Sequence, residues 1–331
     1  MLTLPSFRLH RPARLEDALR ILREEGDRAR PLAGGTDLVV NLRNRLFTPA
    51  HVVALGRIHE LDGIAHDARS GLRIGALARV ADLAAHPAVR RLYPVLAEAA
   101  NSVAGPTLRQ MGTAGGNLCV ETRCHWYNQS FYWRRACGFC LKKDGTVCHV
   151  APGSEICLAA YSGDLAPALL ALDAEIAIRS VDGERRVLLE LFYRDDGARA
   201  FDLAPDEIIA EIRVPASRAG LEGVYRKLRS RASIDFPLAG VAVAARVEGG
   251  TLRDVSIGLT AVGPRPFTVP GAREALEGRD LDDDALKDAA RLARRSALPL
   301  RTTGALPPAY RKHRVGLFVR DALRTLASRS S

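Results

Sequence analysis

Residues 163–189 read GDLAPALLALDAEIAIRSVDGERRVLL. The apolar run after Asp164 and Pro167 reads as a helix. The alternating stretch that follows reads as a strand, Asp182-Gly183 as a turn, and the remainder as a second strand. A helix feeding a hairpin is α+β grammar. Upstream, Leu15 to Glu25 (LEDALRILREE) sets Leu15, Ala18, Leu19 and Leu22 on one helical face, and Gly26 ends it. A Gly-Gly turn follows a short extended run in RPLAGGTDLVVNLR, and MGTAGGNLC reads as a second such turn. His51–Leu55 and Leu72–Ile74 suggest strands. Val80–Ala85 and Tyr93–Ala100 suggest helices. Downstream, Leu238–Val247 and Thr251–Val262 flank Glu248-Gly249-Gly250, a hairpin signal. Asp283–Arg295 and Tyr310–Leu326 then read as helices. The expected division is 1–218 and 219–331.

The chain has 331 residues, enough for two or three modest domains. Hydrophobic residues make up 47% and charged residues 26%, which excludes a disordered chain. No apolar run approaches the roughly 18 residues that span a bilayer. The N-terminal stretch lacks the apolar core of a secretory signal. The chain is read as cytoplasmic, with no membrane partner. The formal charge is +10, but arginine is scattered through every segment without a basic block. No nucleic-acid partner is therefore expected.

Six cysteines, Cys119, Cys124, Cys137, Cys140, Cys148 and Cys157, lie together in one stretch and nowhere else. Core cysteines would be scattered, so clustering points to metal or redox chemistry. The spacing Cys124-x15-Cys140-x7-Cys148-x8-Cys157 contains one tight pair, Cys137-x2-Cys140. Zinc ribbons use two close pairs, whereas four thiolates converging on an iron–sulfur cube tolerate wider spacing. Trp126, Tyr127, Phe131, Tyr132, Trp133 and Phe139 lie between the cysteines and would exclude water. Arg123, Arg134, Arg135, Lys142 and Lys143 outnumber Glu121 and Asp144 there. They could steady an anionic cluster or receive an acidic electron donor. A zinc-stapled nucleic-acid-binding module is the alternative from another class.

Ala33-Gly34-Gly35-Thr36-Asp37 and Thr113-Ala114-Gly115-Gly116-Asn117 share one chemistry: adjacent glycines, whose backbone N–H groups can cradle phosphate oxygens, beside a short polar side chain. Two such turns suit a diphosphate. Neither fits the dinucleotide fingerprint GxGxxG, and no GxxxxGK[ST] occurs. Asp164 is either an N-cap or a ligand-facing carboxylate. No catalytic residues are identified: GxSxG and HExxH are absent, which points to an electron carrier.

AGGTDLVVNLR, ANSVAGPTLRQMGTAGGNLC and GDLAPALLALDAEI resemble the FAD-binding medium subunits of the xanthine dehydrogenase and carbon monoxide dehydrogenase family. The resemblance continues through VYRKLRSRASIDFPLAGVAVA and covers nearly the whole chain. It implies an FAD-binding domain (1–218) of two α+β subdomains and a C-terminal α+β domain (219–331), a sheet with flanking helices. Cys119 and Gly163 stand 44 positions apart (163 − 119), far more than the short connection of ordinary members. An inserted loop of that length usually means function. The insertion, 122–158, with cysteines at these intervals, is similar to that of the 4-hydroxybenzoyl-CoA reductase branch, which carries an extra [4Fe–4S] cluster.

By position, the resemblance implies FAD contacts at Ala33, Gly34, Gly35, Thr36, Asp37, Val103, Thr113, Ala114, Gly115, Gly116, Asn117, Asp164 and Lys227. It implies cluster ligands at Cys124, Cys140, Cys148 and Cys157, with Cys119 left to packing. Cys137-x2-Cys140 leaves a different choice of four open. The implied partners are a large molybdenum-cofactor subunit, a small subunit with [2Fe–2S] clusters and a ferredoxin-like electron donor, assembled as a dimer of heterotrimers. Electrons would pass from the donor through [4Fe–4S] and FAD to the partner clusters and molybdenum, where 4-hydroxybenzoyl-CoA loses its hydroxyl to give benzoyl-CoA. Another molybdenum hydroxylase, oxidising an aromatic or heterocyclic substrate, is the alternative within the family.

Overall fold

A computed structural model describes residues 3–304 and 306–330. Three sheets organise the chain. In the first, strand His51–Ala54 lies between Arg8–His10 and Ala29–Leu32 and pairs with both in parallel. Parallel neighbours require a crossover. Helix Leu15–Glu25 supplies one, burying Leu15, Ala18, Leu19 and Leu22 against Ala29, Val53 and Leu55.

The second sheet is antiparallel, in the order Ile64–Asp67, Gly71–Gly75, Ile208–Val214, Glu175–Ser180, Gly183–Leu188. Its last two strands are the hairpin expected from the sequence. Ile208–Val214, which no sequence feature singled out, is the central strand and joins segments more than a hundred residues apart. Helix Leu165–Ala171, which leads into that hairpin, is buried along its whole length and packs on the strands of the third sheet, Ala239–Glu248 and Thr251–Thr260.

The third sheet runs Phe267–Thr268, Thr251–Thr260, Ala239–Glu248, Glu222–Leu228, all antiparallel. Residues 239–245 of the inner strand Ala239–Glu248 read AGVAVAA, apolar on both faces. The fold requires this because both faces are covered. Ala242 and Ala244 join the core built on helices Pro94–Ser102 and Leu165–Ala171. Val241, Val243 and Ala245 face the opposite core, under helices Asp283–Ser296 and Pro308–Ser330. The sheet is thereby fastened to the preceding part of the chain by a shared apolar core. The fold is α+β, as expected.

One local expectation is corrected. The segment around Gly115-Gly116 is the short helix Ala114–Leu118, not a turn. Thr113 caps it, its hydroxyl accepting the Gly116 amide at 3.2 Å. The insertion starts and closes on a two-residue bridge, with Arg123 N donating to Ala160 O at 2.7 Å and Ala160 N to Arg123 O at 2.8 Å. Inside it, the only helix is Phe131–Ala136, capped by Ser130. Among the described residues no helix is long and apolar enough to cross a membrane.

Candidate functional site

The first Gly-Gly turn leaves strand Ala29–Leu32 and enters helix Leu38–Arg43. Gly34 lies against the second segment so closely that a Cβ there would meet Met111 O at 1.7 Å, and Gly35 has φ +75°. Only glycine fits either position. Among the described residues, the amides of Gly34, Gly35 and Thr36 have no protein acceptor. Three successive backbone donors without a protein acceptor can serve as an anion cradle, the chemistry a diphosphate requires. Ala33 and the exposed Thr36 line this turn.

Asp37 does not open into the cradle. Its carboxylate accepts from Arg123, from Glu121 N at 3.1 Å and from Asn41 Nδ2 at 3.1 Å. Burial pushes its pKa up against the pull of Arg123. In the second segment Ala114 N and Gly115 N donate to Ala78 O and Ala76 O, which leaves neither amide free for a ligand. Gly116 and Asn117 extend the same short helix. Asn117 Oδ1 accepts the Leu165 amide at 3.0 Å. The residue expected at the diphosphate therefore caps the helix that Asp164 precedes.

Asp164 makes no side-chain cap. Its buried carboxylate accepts from Tyr225 Oη at 2.8 Å and Lys227 Nζ at 3.0 Å. Burial raises its pKa, while Lys227 and Tyr225 oppose the shift. Lys227 also donates to Ser102 O at 3.0 Å, next to Val103. Val103 O in turn accepts from Arg109 at 2.9 Å. Tyr225 and Ser102 were missed by sequence reasoning. Tyr225 carried a signal, since strand residues two apart share a face with each other and Lys227 lies two beyond it.

Cys124, Cys140, Cys148 and Cys157 are buried and line one small cavity with Trp126, Tyr127, Lys142, His149 and Val150. Cys137 is half-exposed and does not line it. Burial pushes the Cys124 thiol up to about 12, against the Trp126 amide that donates to its sulfur. Cys157 is also raised by burial, eased by the Ala159 amide at 3.4 Å and by Lys142. Trp126 packs against Trp133 and His149, with centroids at 5.6 and 4.6 Å. His149 hydrogen-bonds Phe139 O at 2.5 Å, and His125 N holds Thr302 O at 2.6 Å. Among the described residues, no three His, Cys, Asp or Glu side chains stand close enough to grip a single ion.

The basic residues of the insertion are mostly not a surface. Arg134 is buried, its Nη2 on Arg45 O at 2.9 Å. The Lys142 side chain is 5% exposed and bound to Glu121, and Arg123 is held by Asp37. Arg135 is exposed and Lys143 partly so, leaving these two of the five to meet a partner.

Residues 5–217 match the FAD binding domain in molybdopterin dehydrogenase, and residues 223–326 match the CO dehydrogenase flavoprotein C-terminal domain. The chain belongs to the FAD-binding family of the molybdopterin dehydrogenases. It is 30% identical to the carbon monoxide dehydrogenase medium chain of Afipia carboxidovorans, over 98% of both chains. It is 35% identical to the aldehyde oxidoreductase FAD-binding subunit PaoB of Escherichia coli, over 80% of this chain and 83% of that one. The reconstituted CO dehydrogenase from Oligotropha carboxidovorans contains a chain with the same fold, at TM-score 0.81 and 28% identity, over 99% of this chain and 100% of that one. The family's flavoprotein subunits are oxidoreductase components, and this chain is the medium FAD subunit of a molybdenum hydroxylase. Two flavoprotein domains over nearly the whole chain leave the zinc-stapled nucleic-acid module without support.

Proposed function

We propose that the chain is the electron-transfer flavoprotein subunit of a molybdenum enzyme of the 4-hydroxybenzoyl-CoA reductase type, with a [4Fe–4S] cluster held by Cys124, Cys140, Cys148 and Cys157 beside its FAD. The observation that carries this reading is the set of four buried thiols on one apolar cavity, inside an insertion whose base lies against the flavin cradle. A mononuclear zinc site would draw its sulfurs to about 3.8 Å from one another, given Zn–S bonds of about 2.3 Å. Flavin exchanges electrons singly or in pairs and an iron–sulfur centre exchanges them singly, which suits a junction between a one-electron donor and a two-electron reaction.

The chain's own residues bind, orient and insulate. The Gly34–Thr36 amides receive the diphosphate. Val103, Asp164 and Lys227 bound the flavin end, where the buried Lys227–Asp164 pair fixes the strand against the helix. Trp126, Tyr127 and Val150 keep water from the thiol cavity. Nothing in the set acts as an acid, base or nucleophile on a substrate, so the reaction belongs to partners. These are a large molybdenum-cofactor subunit and a small [2Fe–2S] subunit, in a dimer of heterotrimers supplied by a ferredoxin-like donor. The balanced reaction of such a complex consumes two electrons and two protons, releasing water as 4-hydroxybenzoyl-CoA becomes benzoyl-CoA.

Kinship with carbon monoxide dehydrogenase and aldehyde oxidoreductase subunits favours a second reading, the medium subunit of another molybdenum hydroxylase oxidising an aromatic or heterocyclic substrate. The anaerobically purified complex separates the two. Stoichiometric flavin, about four irons on this chain, an EPR signal on reduction and reductive turnover of 4-hydroxybenzoyl-CoA are expected. Hydroxylation of a heterocycle without that turnover selects the second reading. Flavin without iron on this chain rejects the cluster.

A further inference from the structure

We infer that Lys142 is the positioning residue of the thiol cavity, fixing the Cys140 loop to the flavin-domain frame and setting the reduction potential of the centre the thiols hold, a conclusion that rests on the iron–sulfur reading above. An ammonium taken out of water is retained only when its hydrogens and its charge are satisfied. Lys142 meets both conditions. Its side chain is 5% exposed, and its nitrogen donates to the Glu121 carboxylate, the Thr122 hydroxyl and Gly197 O, the last at 2.6 Å. That uses all three donors of the group. The Tyr127 ring lies 4.6 Å from the same nitrogen, at cation–π range.

The acceptors come from separate parts of the chain. Glu121 immediately precedes the insertion and Thr122 opens it. Gly197 belongs to the loop that receives its far end, where Gly197 N donates to Cys157 O at 2.7 Å and Asp196 accepts the Cys157 amide at 3.0 Å. Thr122 Oγ1 donates to Gly197 O at 2.7 Å, closing the triangle. Lys142, two residues past Cys140, thus ties the middle of the insertion to both of its ends at one atom.

The charge has a second consequence. Thiolates around an iron–sulfur centre place negative charge in an apolar cavity, which favours a cation in its wall. Lys142 is the one Lys or Arg lining that cavity among the described residues. Asp144 instead faces Arg134 and Lys143, at 3.6 and 3.2 Å.

The test uses the full chain, purified without oxygen, with Lys142→Met, Lys142→Arg and Glu121→Gln. Iron per chain, flavin per chain and an EPR-monitored redox titration are measured. Lys142→Met lowers the potential, so the reduced-to-oxidised ratio at a fixed solution potential falls about tenfold, equal to 59 mV for one electron. Lys142→Arg stays near the wild type. Glu121→Gln, which leaves the ammonium uncompensated, moves the potential the opposite way. Unmoved potentials in Lys142→Met and Glu121→Gln overturn the inference. If Lys142→Met loses its iron, Glu121→Gln decides alone: an upward shift supports the inference, and an unmoved or lowered potential overturns it. Wild-type protein without iron rejects the cluster reading itself, before any variant is compared.

Discussion

Lys227 Nζ lies 3.0 Å from Asp164 Oδ2 and 3.0 Å from Ser102 O, with both side chains about 4% exposed. One ammonium ties strand Glu222–Leu228 to the end of helix Pro94–Ser102 and the start of helix Leu165–Ala171. Removing one member of a buried pair costs more than the pair contributes, because the remaining charge is stranded. Lys227→Met is expected to lower unfolding free energy by about 3–5 kcal/mol in denaturant titrations of flavin-free protein. The double variant Asp164→Asn/Lys227→Met recovers part of that loss.

The same variant has a signed pH dependence. Asp164 is already raised by burial against the pull of Lys227, so losing Lys227 raises it further. A folded-state carboxyl pKa above its unfolded value gives stability that is complete below the unfolded value and lost as pH rises through the folded one. The Lys227→Met deficit therefore narrows in acid and widens as pH rises past the ordinary carboxylate range. A deficit independent of pH would show that Asp164 is not the group left stranded.

Gly34→Ala tests the cradle. Its Cβ would overlap Met111 O at 1.7 Å, and backbone cannot rotate away as a side-chain tip can. Overpacking of this kind costs about 1–3 kcal/mol or more, and relief requires the two glycine segments to part. Protein that folds but copurifies with severalfold less flavin is the expected result. Full flavin content with unchanged stability would place the diphosphate elsewhere.

Thiol titration addresses Cys137. The four cavity thiols are buried and, under the proposed cluster reading, engaged in the loaded protein, and burial pushes the Cys119 thiol up to about 12, which suppresses its thiolate in mildly alkaline buffer. Cys137 is half-exposed. One fast-reacting thiol per chain is expected, abolished by Cys137→Ser. No fast thiol would argue that Cys137 replaces one of the nominated four.

What the sequence disclosed follows from where the information is stored. Helix Leu15–Glu25 was legible to its last residue because its apolar face and its terminating glycine are local. The Ala239–Glu248/Thr251–Thr260 hairpin was legible for the same reason. Strand Ile208–Val214 was passed over although Ile212 and Val214 alternate with Glu211 and Arg213, because its neighbours in the sheet are distant in sequence. Gly115-Gly116 looked like a turn because composition does not show the Thr113 cap. Sequence left Arg123, Arg134 and Lys142 open to steadying a cluster or receiving an acidic donor, because it reports charge but not the carboxylate or carbonyl that takes it up. The cysteines were legible as a group, since clustering is local. Which of them share one cavity was not legible, because that convergence is three-dimensional: Cys124, Cys140, Cys148 and Cys157 line it and Cys137 does not.

Asp37 links the two sites, and this shapes the last pair of variants. Cys148 lines the thiol cavity and no part of the glycine turns, so Cys148→Ser is expected to lose iron and keep stoichiometric flavin. Arg123 is one residue from Cys124, yet its guanidinium is spent on Asp37 and stacks over Phe236 at 4.2 Å. Arg123→Ala strands a carboxylate that burial already pushes upward. Asp37 keeps Asn41 and the Glu121 amide, so the turn loosens rather than unfolds. Flavin content should fall severalfold while iron is largely kept, the reverse of Cys148→Ser. Arg123→Gln, which can still donate a neutral hydrogen bond, should fall between Arg123→Ala and wild type. If Cys148→Ser lost flavin as well, with the fold intact by circular dichroism, the two sites would be one cooperative unit and the Asp37–Arg123 contact its joint.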